Sequence, residues 1–112
     1  MLFNKDEEHR ELTVEEVRSL LAKKKIVLLD VREDYERNMA SIHGSIHIPV
    51  SDLKKRMNEL DKKSEIVAFC HHGVRSRNAA QMLRVAGFNA KSMNGGIAEW
   101  SAKIDKKVKV YY

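Results

Sequence analysis

The sequence predicts an α/β fold. The expected form is a small three-layer domain whose mostly parallel central sheet, of about five strands, is flanked by helices. Three observations predict it. At 112 residues the chain suits one compact domain and is too short for two ordinary ones. Two short apolar, β-branched runs, 26–31 and 65–69, lack polar alternation and read as strands covered on both faces. Segments of helical periodicity separate the extended runs, which is the pattern of parallel crossover units.

The elements follow in order. Thr13 and Glu16 have capping-box spacing, and Val14, Val17, Leu20 and Leu21 recur at helical intervals. The run 26–31 is the first long strand, and 34–39 reads as a short helix. Residues 46–48 form a brief strand stopped by Pro49, and Ser51 is placed to cap a helix through Leu60. After the strand 65–69, the helix 75–86 carries the stripe Ala79, Met82, Leu83 and Ala86, and Gly87 stops it. Residues 89–93 form the last short strand. Asn94-Gly95-Gly96 turns the chain into a final helix, 97–102, anchored in the core by Trp100. One domain therefore spans 1–112, with a core over 11–102, a short lead and a tail. The tail, 107–112, alternates like an edge strand, but chain ends fray unless tied down, and fraying is the expectation.

Composition excludes several classes. Hydrophobic residues at 43% and charged residues at 33% exclude a disordered chain, and Pro 1 with Gly 5 excludes a collagen-like one. One cysteine cannot form an intramolecular disulfide. Without a Cys-x-x-Cys pair, and with Cys70, His71 and His72 consecutive, no metal or other cofactor is expected. No apolar run approaches the ~20 residues of a membrane span. Residues 1–8 turn acidic at once, unlike a secretory signal. The expectation is a soluble cytoplasmic domain that binds no membrane. The net charge of +5 favours anionic partners. The lysines are spread, and aromatics do not interleave with their short clusters at 23–25 and 106–107. These read as solvated faces, with no nucleic-acid surface.

The chemistry concentrates at Phe69-Cys70-His71-His72-Gly73-Val74-Arg75-Ser76. The only cysteine ends a buried strand, at the sheet edge where ligands collect in open α/β folds. Gly73 lets the backbone curl before the next helix. A curled loop feeding a helix N-terminus aims several N–H groups at one point, and Arg75 adds positive charge there. A thiol in such a cradle is a better nucleophile, because the donors favour its thiolate. The alternative, a small hydrophobe closing a core strand, is the ordinary reading of an isolated cysteine. The Gly73-Arg75-Ser76 context favours the nucleophile.

These residues resemble the rhodanese family of single-domain sulfurtransferases. Asp30-Val31-Arg32-Glu33 with Tyr35-Glu36 is similar to that family's first motif. Ile42-His43-Gly44-Ser45-Ile46-His47-Ile48-Pro49 resembles its second, and Cys70 to Ser76 resembles its active-site loop. Gly87-Phe88, then Asn94-Gly95-Gly96-Ile97 and Trp100, resemble its closing segment. The resemblance runs from about Glu11 to Ala102. Two positions depart from the family pattern: Ala40-Ser41 precede Ile42 where Gly-His is usual, and His71 replaces the usual Arg or Lys.

The resemblance implies a ping-pong sulfur transfer through a Cys70 persulfide. The donor would be a small sulfur anion such as thiosulfate, and the acceptor a thiol, a protein thiol or cyanide. It implies that the backbone N–H groups of His71, His72, Gly73, Val74 and Arg75 cradle the persulfide. The Arg75 side chain would dock the donor or orient the loop. Ser76 would cap the helix or donate to the thiolate. A monomer or weak dimer is expected. The alternative is a persulfide carrier of low turnover, since His71 brings less permanent charge. A cysteine phosphatase or arsenate reductase is less favoured, because four residues separate Cys70 from Arg75 where similar phosphatases have five.

Asp30 and Arg32 end the first long strand on the same edge. Arg32 can add positive field, but a mutual tie of the strand end to its loops is the favoured reading. His43 and His47 read as loop and surface residues. If His71 and His72 carry charge, they assist anion docking.

Overall fold

A computed structural model describes residues 10–112. The opening segment 1–8, read above as no secretory signal, lies outside the described residues. The elements alternate as expected. They are α1 (Val14–Ala22), β1 (Val27–Asp30), α2 (Asp34–Met39), β2 (Ile46–His47), α3 (Val50–Arg56), a 3₁₀ turn (Met57–Glu59), β3 (Glu65–Phe69), α4 (Val74–Val85), β4 (Asn89–Ser92) and α5 (Gly96–Lys103). The strands lie in the order β2-β1-β3-β4 and all pair in parallel.

Side-chain alternation along the two central strands builds two cores, one on each face. Leu28, Val67 and Phe69 point to a core completed by Val14, Val17, Ile97 and Trp100 from α1 and α5. Leu29, Ile66, Ala68 and Cys70 point to the other, completed by Leu53 from α3 and Ala79, Ala80 and Leu83 from α4. The result is three layers. The continuous apolar runs of β1 and β3 are explained by this covering on both sides.

The capping box of α1 forms as its spacing requires: the Glu16 N–H donates to Thr13 Oγ1, and the Thr13 N–H donates to Glu16 Oε1. Ser51 does not cap the next helix. Pro49, at φ −57°, precedes α3 directly, so Val50 is already its first residue and Ser51 its second. That helix also ends at Arg56, earlier than the sequence suggested, and tightens to 3₁₀ before Leu60.

Four strands form among the described residues, against about five expected. A fifth is reduced to one parallel bridge, Leu12 to Met93, because the α1 cap at Thr13 follows at once and leaves no extended run. The tail does not supply a strand, nor does it fray. Val108 and Tyr111 are buried in the α1–α5 core, and the Ser101 hydroxyl donates to the Val108 carbonyl at 2.7 Å. Val110 and Tyr112 face solvent, so burial does not follow the tail's two-residue alternation.

Register positions the site. Asp30 lies beside Phe69 in the β1–β3 pair, so the segments carrying Arg32 and Cys70 leave the sheet at the same edge. No helix of the described residues is long and apolar enough to cross a membrane.

Candidate active site at the carboxyl edge of the sheet

Cys70 is the first residue past β3, and its side chain is 1% exposed. The chain then curls back over its own sulfur. Gly73 adopts φ 114°, which only glycine takes readily, and serves as the N-cap of α4. The curl aims the Gly73 N–H at Cys70 Sγ at 3.1 Å and the Ser76 N–H at the same atom at 3.4 Å. Donors of this kind stabilise negative charge on sulfur.

The Cys70 thiol can itself donate to Ser76 Oγ at 3.6 Å. Ser76 Oγ also reaches the Gly73 carbonyl at 3.1 Å and Ser92 Oγ at 2.7 Å. Ser76 is fully buried inside the first turn of α4 and does not cap it. Its hydroxyl is free to turn toward a sulfur that has lost its proton. The remaining predicted donors, the N–H groups of His71, His72, Val74 and Arg75, make no hydrogen bond to Sγ itself. The Val74 side chain is exposed.

A second backbone layer holds the curl from beneath. The N–H groups of Ile97 and Ala98, in the first turn of α5, donate to the carbonyls of Cys70 and His71 at 2.9 and 3.1 Å. Gly96 permits this approach, since a Cβ there would collide with those same two carbonyls. The glycine pair read as a turn thus also seats the Cys70 loop.

Arg75 does not reach out as a free cation. Its guanidinium grips Glu36 of α2, with Nη1 on Oε1 at 2.5 Å and Nη2 on Oε2 at 2.9 Å. Of the two roles considered for Arg75, the geometry favours orienting the loop. The Glu36 side chain is 3% exposed. Burial pushes its pKa up, but the hydrogen bonds from Arg75 and Tyr111 outweigh burial and hold it at about 2. The Arg75 pKa rises correspondingly, chiefly through Glu36.

Asp30 and Arg32 form a fully buried pair. Arg32 Nε and Nη2 donate to Asp30 Oδ1 and Oδ2 at 2.9 and 2.7 Å, and the remaining donors reach the carbonyls of Glu36 and Ala40 and the Tyr111 hydroxyl. Burial alone would lower the Arg32 pKa, but Asp30 and Tyr111 raise it above its ordinary value. Arg37 adds a contact to Asp30 at 3.2 Å. These contacts tie the end of β1 to the loop and helix that follow it. His47, read as a surface residue, is half-buried and places Nε2 2.7 Å from the Arg32 carbonyl. His43 is exposed.

The loop histidines stack. The rings of His71 and His72 lie 4.0 Å apart, and His71 lies 4.0 Å from Tyr111 with the planes 11° apart. Burial, then the neighbouring His72 charge, lowers the His71 pKa below 6.5. Both effects disfavour the imidazolium, so His71 is a poorer source of positive charge for anion docking than a free histidine. Among the described residues, no group of three His, Cys, Asp or Glu side chains can hold a metal ion.

Sequence reasoning singled out Cys70 through Ser76, Asp30 and Arg32, and all of them meet at this edge. It quoted Glu36 within a motif without a role, and missed Tyr111 and Ser92. Nothing in the local pattern marks Tyr111: in the tail's alternation it falls on the side of Lys107 and Lys109.

Comparison with known proteins agrees with this architecture. A family model described as the rhodanese-like domain matches residues 13–103. The chain is 41% identical over 80 residues to the putative sulfur carrier protein YrkF of Bacillus subtilis, covering 70% of this chain and 43% of that one. It is 35% identical over 86 residues to the putative sulfurtransferase YtwF of Bacillus subtilis, covering 77% of this chain and 84% of that one. The chain thus spans less than half the length of the first relative and most of the second. Among solved structures, a rhodanese-related protein from Thermoplasma volcanium superimposes with a TM-score of 0.80 at 31% identity, covering 86% of this chain and 94% of its own.

Proposed function

This chain belongs to the rhodanese-like domain family, and on that premise we propose that it moves a sulfane sulfur through a Cys70 persulfide. One observation carries the reading: the N–H groups of Gly73 and Ser76 converge on Cys70 Sγ, with the Ser76 hydroxyl in reach. Donors so placed can hold the negative charge of an attacking sulfur and of a terminal persulfide sulfur.

The transfer takes two displacements. The Cys70 thiolate attacks the outer sulfur of a donor such as thiosulfate. The donor's S–S bond breaks, sulfite leaves with the electron pair, and Cys70 carries a persulfide anion. An acceptor thiolate or cyanide then attacks the outer sulfur, and the Cys70 thiolate leaves. No oxidant is consumed. Cys70 is the nucleophile, acting as its thiolate, and the loop 71–76 binds the sulfur.

A second reading, a carrier loaded and unloaded by protein partners, has its own support. Arg75 is engaged by Glu36, Arg32 by Asp30, and burial disfavours the charged form of His71. None of these offers the unpaired positive charge that recruits a small free anion from solution.

Intact-protein mass after incubation with thiosulfate, with and without cyanide, tests the proposal. The wild type should gain one sulfur atom and lose it to cyanide, and Cys70→Ser should gain none. A sulfur adduct on Cys70→Ser, or undiminished thiocyanate formation by it, would remove Cys70 from the mechanism. Steady-state thiocyanate formation separates the two readings: sustained turnover supports the enzyme, and a persulfide that turns over poorly supports the carrier.

A further inference from the structure

Resting on that reading, we propose that Tyr111 is a positioning residue for the Cys70 nucleophile, holding both ends of the Cys70–Ser76 loop from the C-terminal tail. Tyr111 is 9% exposed, and it sits at the carboxyl edge of the sheet beside a loop 40 residues earlier in the chain.

It touches the loop by two routes. Its ring lies flat against His71, the residue next to Cys70, at 4.0 Å between centroids, and His71 in turn stacks on His72. Its hydroxyl donates to Glu36 Oε2 at 2.8 Å while accepting from Arg32 Nη1 at 2.9 Å. Glu36 grips Arg75, the residue next to Ser76, whose N–H is on the sulfur. One side chain therefore braces the entry to the loop through a ring and its exit through a carboxylate.

The chemistry suits a fixed brace. A stacked pair of rings resists lateral shift, because flat aromatic faces lose contact area when displaced. The hydroxyl makes one donor and one acceptor bond to charged groups, the strong kind, and both partners are themselves held in ion pairs, that of Arg32 fully buried and that of Glu36 partly so. Burial raises the Tyr111 pKa to about 12, so the hydroxyl keeps its proton through the neutral and mildly alkaline range. If only bulk were needed in this corner of the core, a leucine would serve. The polar half of the contact would then have no purpose, since a buried hydroxyl stabilises little beyond the partners it needs.

The test reads the loop without sulfur chemistry. Alkylation of the single cysteine by iodoacetamide, followed by intact mass, is measured at pH 7 and at pH 10. The ratio of the two rates reports how well the loop favours the thiolate, and changes in access cancel in it. Tyr111→Leu removes ring and hydroxyl; Tyr111→Phe keeps the ring alone. The ratio is expected to fall by about threefold in Tyr111→Leu, the net effect of losing a hydrogen bond's worth of order, with Tyr111→Phe restoring part of the loss. His71→Ala should lower the ratio too. Tyr111→Leu should then add less in that background than alone, because one route runs through His71.

A ratio equal to wild type in both Tyr111 variants, whatever the fall in melting temperature, would overturn the proposal and leave Tyr111 a core residue. Strict additivity with His71→Ala would do the same for the ring route. Should Tyr111→Leu fail to fold, the ratio in Tyr111→Phe decides alone. The two ideas fail separately. Absence of a thiosulfate-derived persulfide with a lowered ratio sinks sulfur transfer from that donor and keeps the brace. A persulfide with unchanged ratios sinks the brace alone.

Discussion

Arg75 grips both carboxylate oxygens of Glu36 across 39 positions of sequence. This fork joins the segment after the candidate nucleophile to α2, on the far side of β1. It engages the Arg75 guanidinium within the frame of the loop, the geometry of the second of its two expected roles, orienting the loop. A lysine could not reproduce it, because a single ammonium cannot span two oxygens in that geometry.

The pair makes acid stability a readout. Glu36 is an acid whose pKa falls on folding, from 4.5 to about 2. Its contribution is therefore fully present above pH 4.5 and is lost as pH falls toward 2. A shift of that size corresponds to on the order of 3 kcal/mol. Denaturant unfolding at about pH 5 and about pH 2.5 should show a smaller loss for Glu36→Gln than for wild type. Glu16, held at about 2 chiefly by Arg10, titrates in the same window but is common to both proteins and cancels. Equal losses in the two proteins would show that the pair does not govern acid stability.

Ser76→Ala removes the one hydroxyl that, among the described residues, reaches Cys70 Sγ, while leaving the Gly73 and Ser76 N–H groups in place. Alkylation of Cys70 at neutral pH should slow by about threefold, and stability should fall by about 1 kcal/mol as Ser92 loses its partner. Alkylation at the wild-type rate would take the hydroxyl out of thiolate stabilisation.

Gly96→Ala forces a Cβ onto the carbonyls of Cys70 and His71, at a backbone φ of 63°. Backbone cannot retreat as a flexible side chain does. The variant should lose more than about 2 kcal/mol of stability. The displaced α5 terminus should also disturb alkylation of Cys70. Thermal unfolding at wild-type temperature would show that the close approach is dispensable.

Asp30→Ala leaves the Arg32 guanidinium buried without its carboxylate. An uncompensated buried charge costs about 3 kcal/mol or more, so the variant should melt well below wild type and expose β1 to hydrogen exchange. The double variant Asp30→Leu with Arg32→Met should recover much of that loss, since apolar pairs of similar volume often replace buried ion pairs without penalty. No recovery would mean that the carbonyl contacts of Arg32 matter more than its charge.

The sequence by itself determined what is local and periodic. The continuous apolar runs, the Thr13 capping box, the Gly87 stop and the glycine in the Cys70 loop each act within a few residues of where they are read. Their physics is short-ranged: a hydrogen bond to the next turn, a permitted φ, a side chain's direction on a strand. The Cys70–Ser76 curl was legible for that reason, and so was its position at the end of a buried strand. Ser51 was misread because a proline two residues earlier already set the helix start, a competition between two local signals.

Tertiary structure alone decided the partners of the charged groups. The sequence left Arg75 between docking a donor and orienting the loop until α2 brought Glu36 to it, and Tyr111 resembled a fraying end until it met Glu36 from 75 positions away. Such contacts leave no periodic trace. A buried tyrosine and an exposed one look alike in a tail of alternating lysine and valine. What separates them is whether the folded edge offers an acceptor for the hydroxyl and a ring for the face. Here Glu36 and His71 supply both, and the parallel register of β1 and β3 brings them to the same end of the sheet.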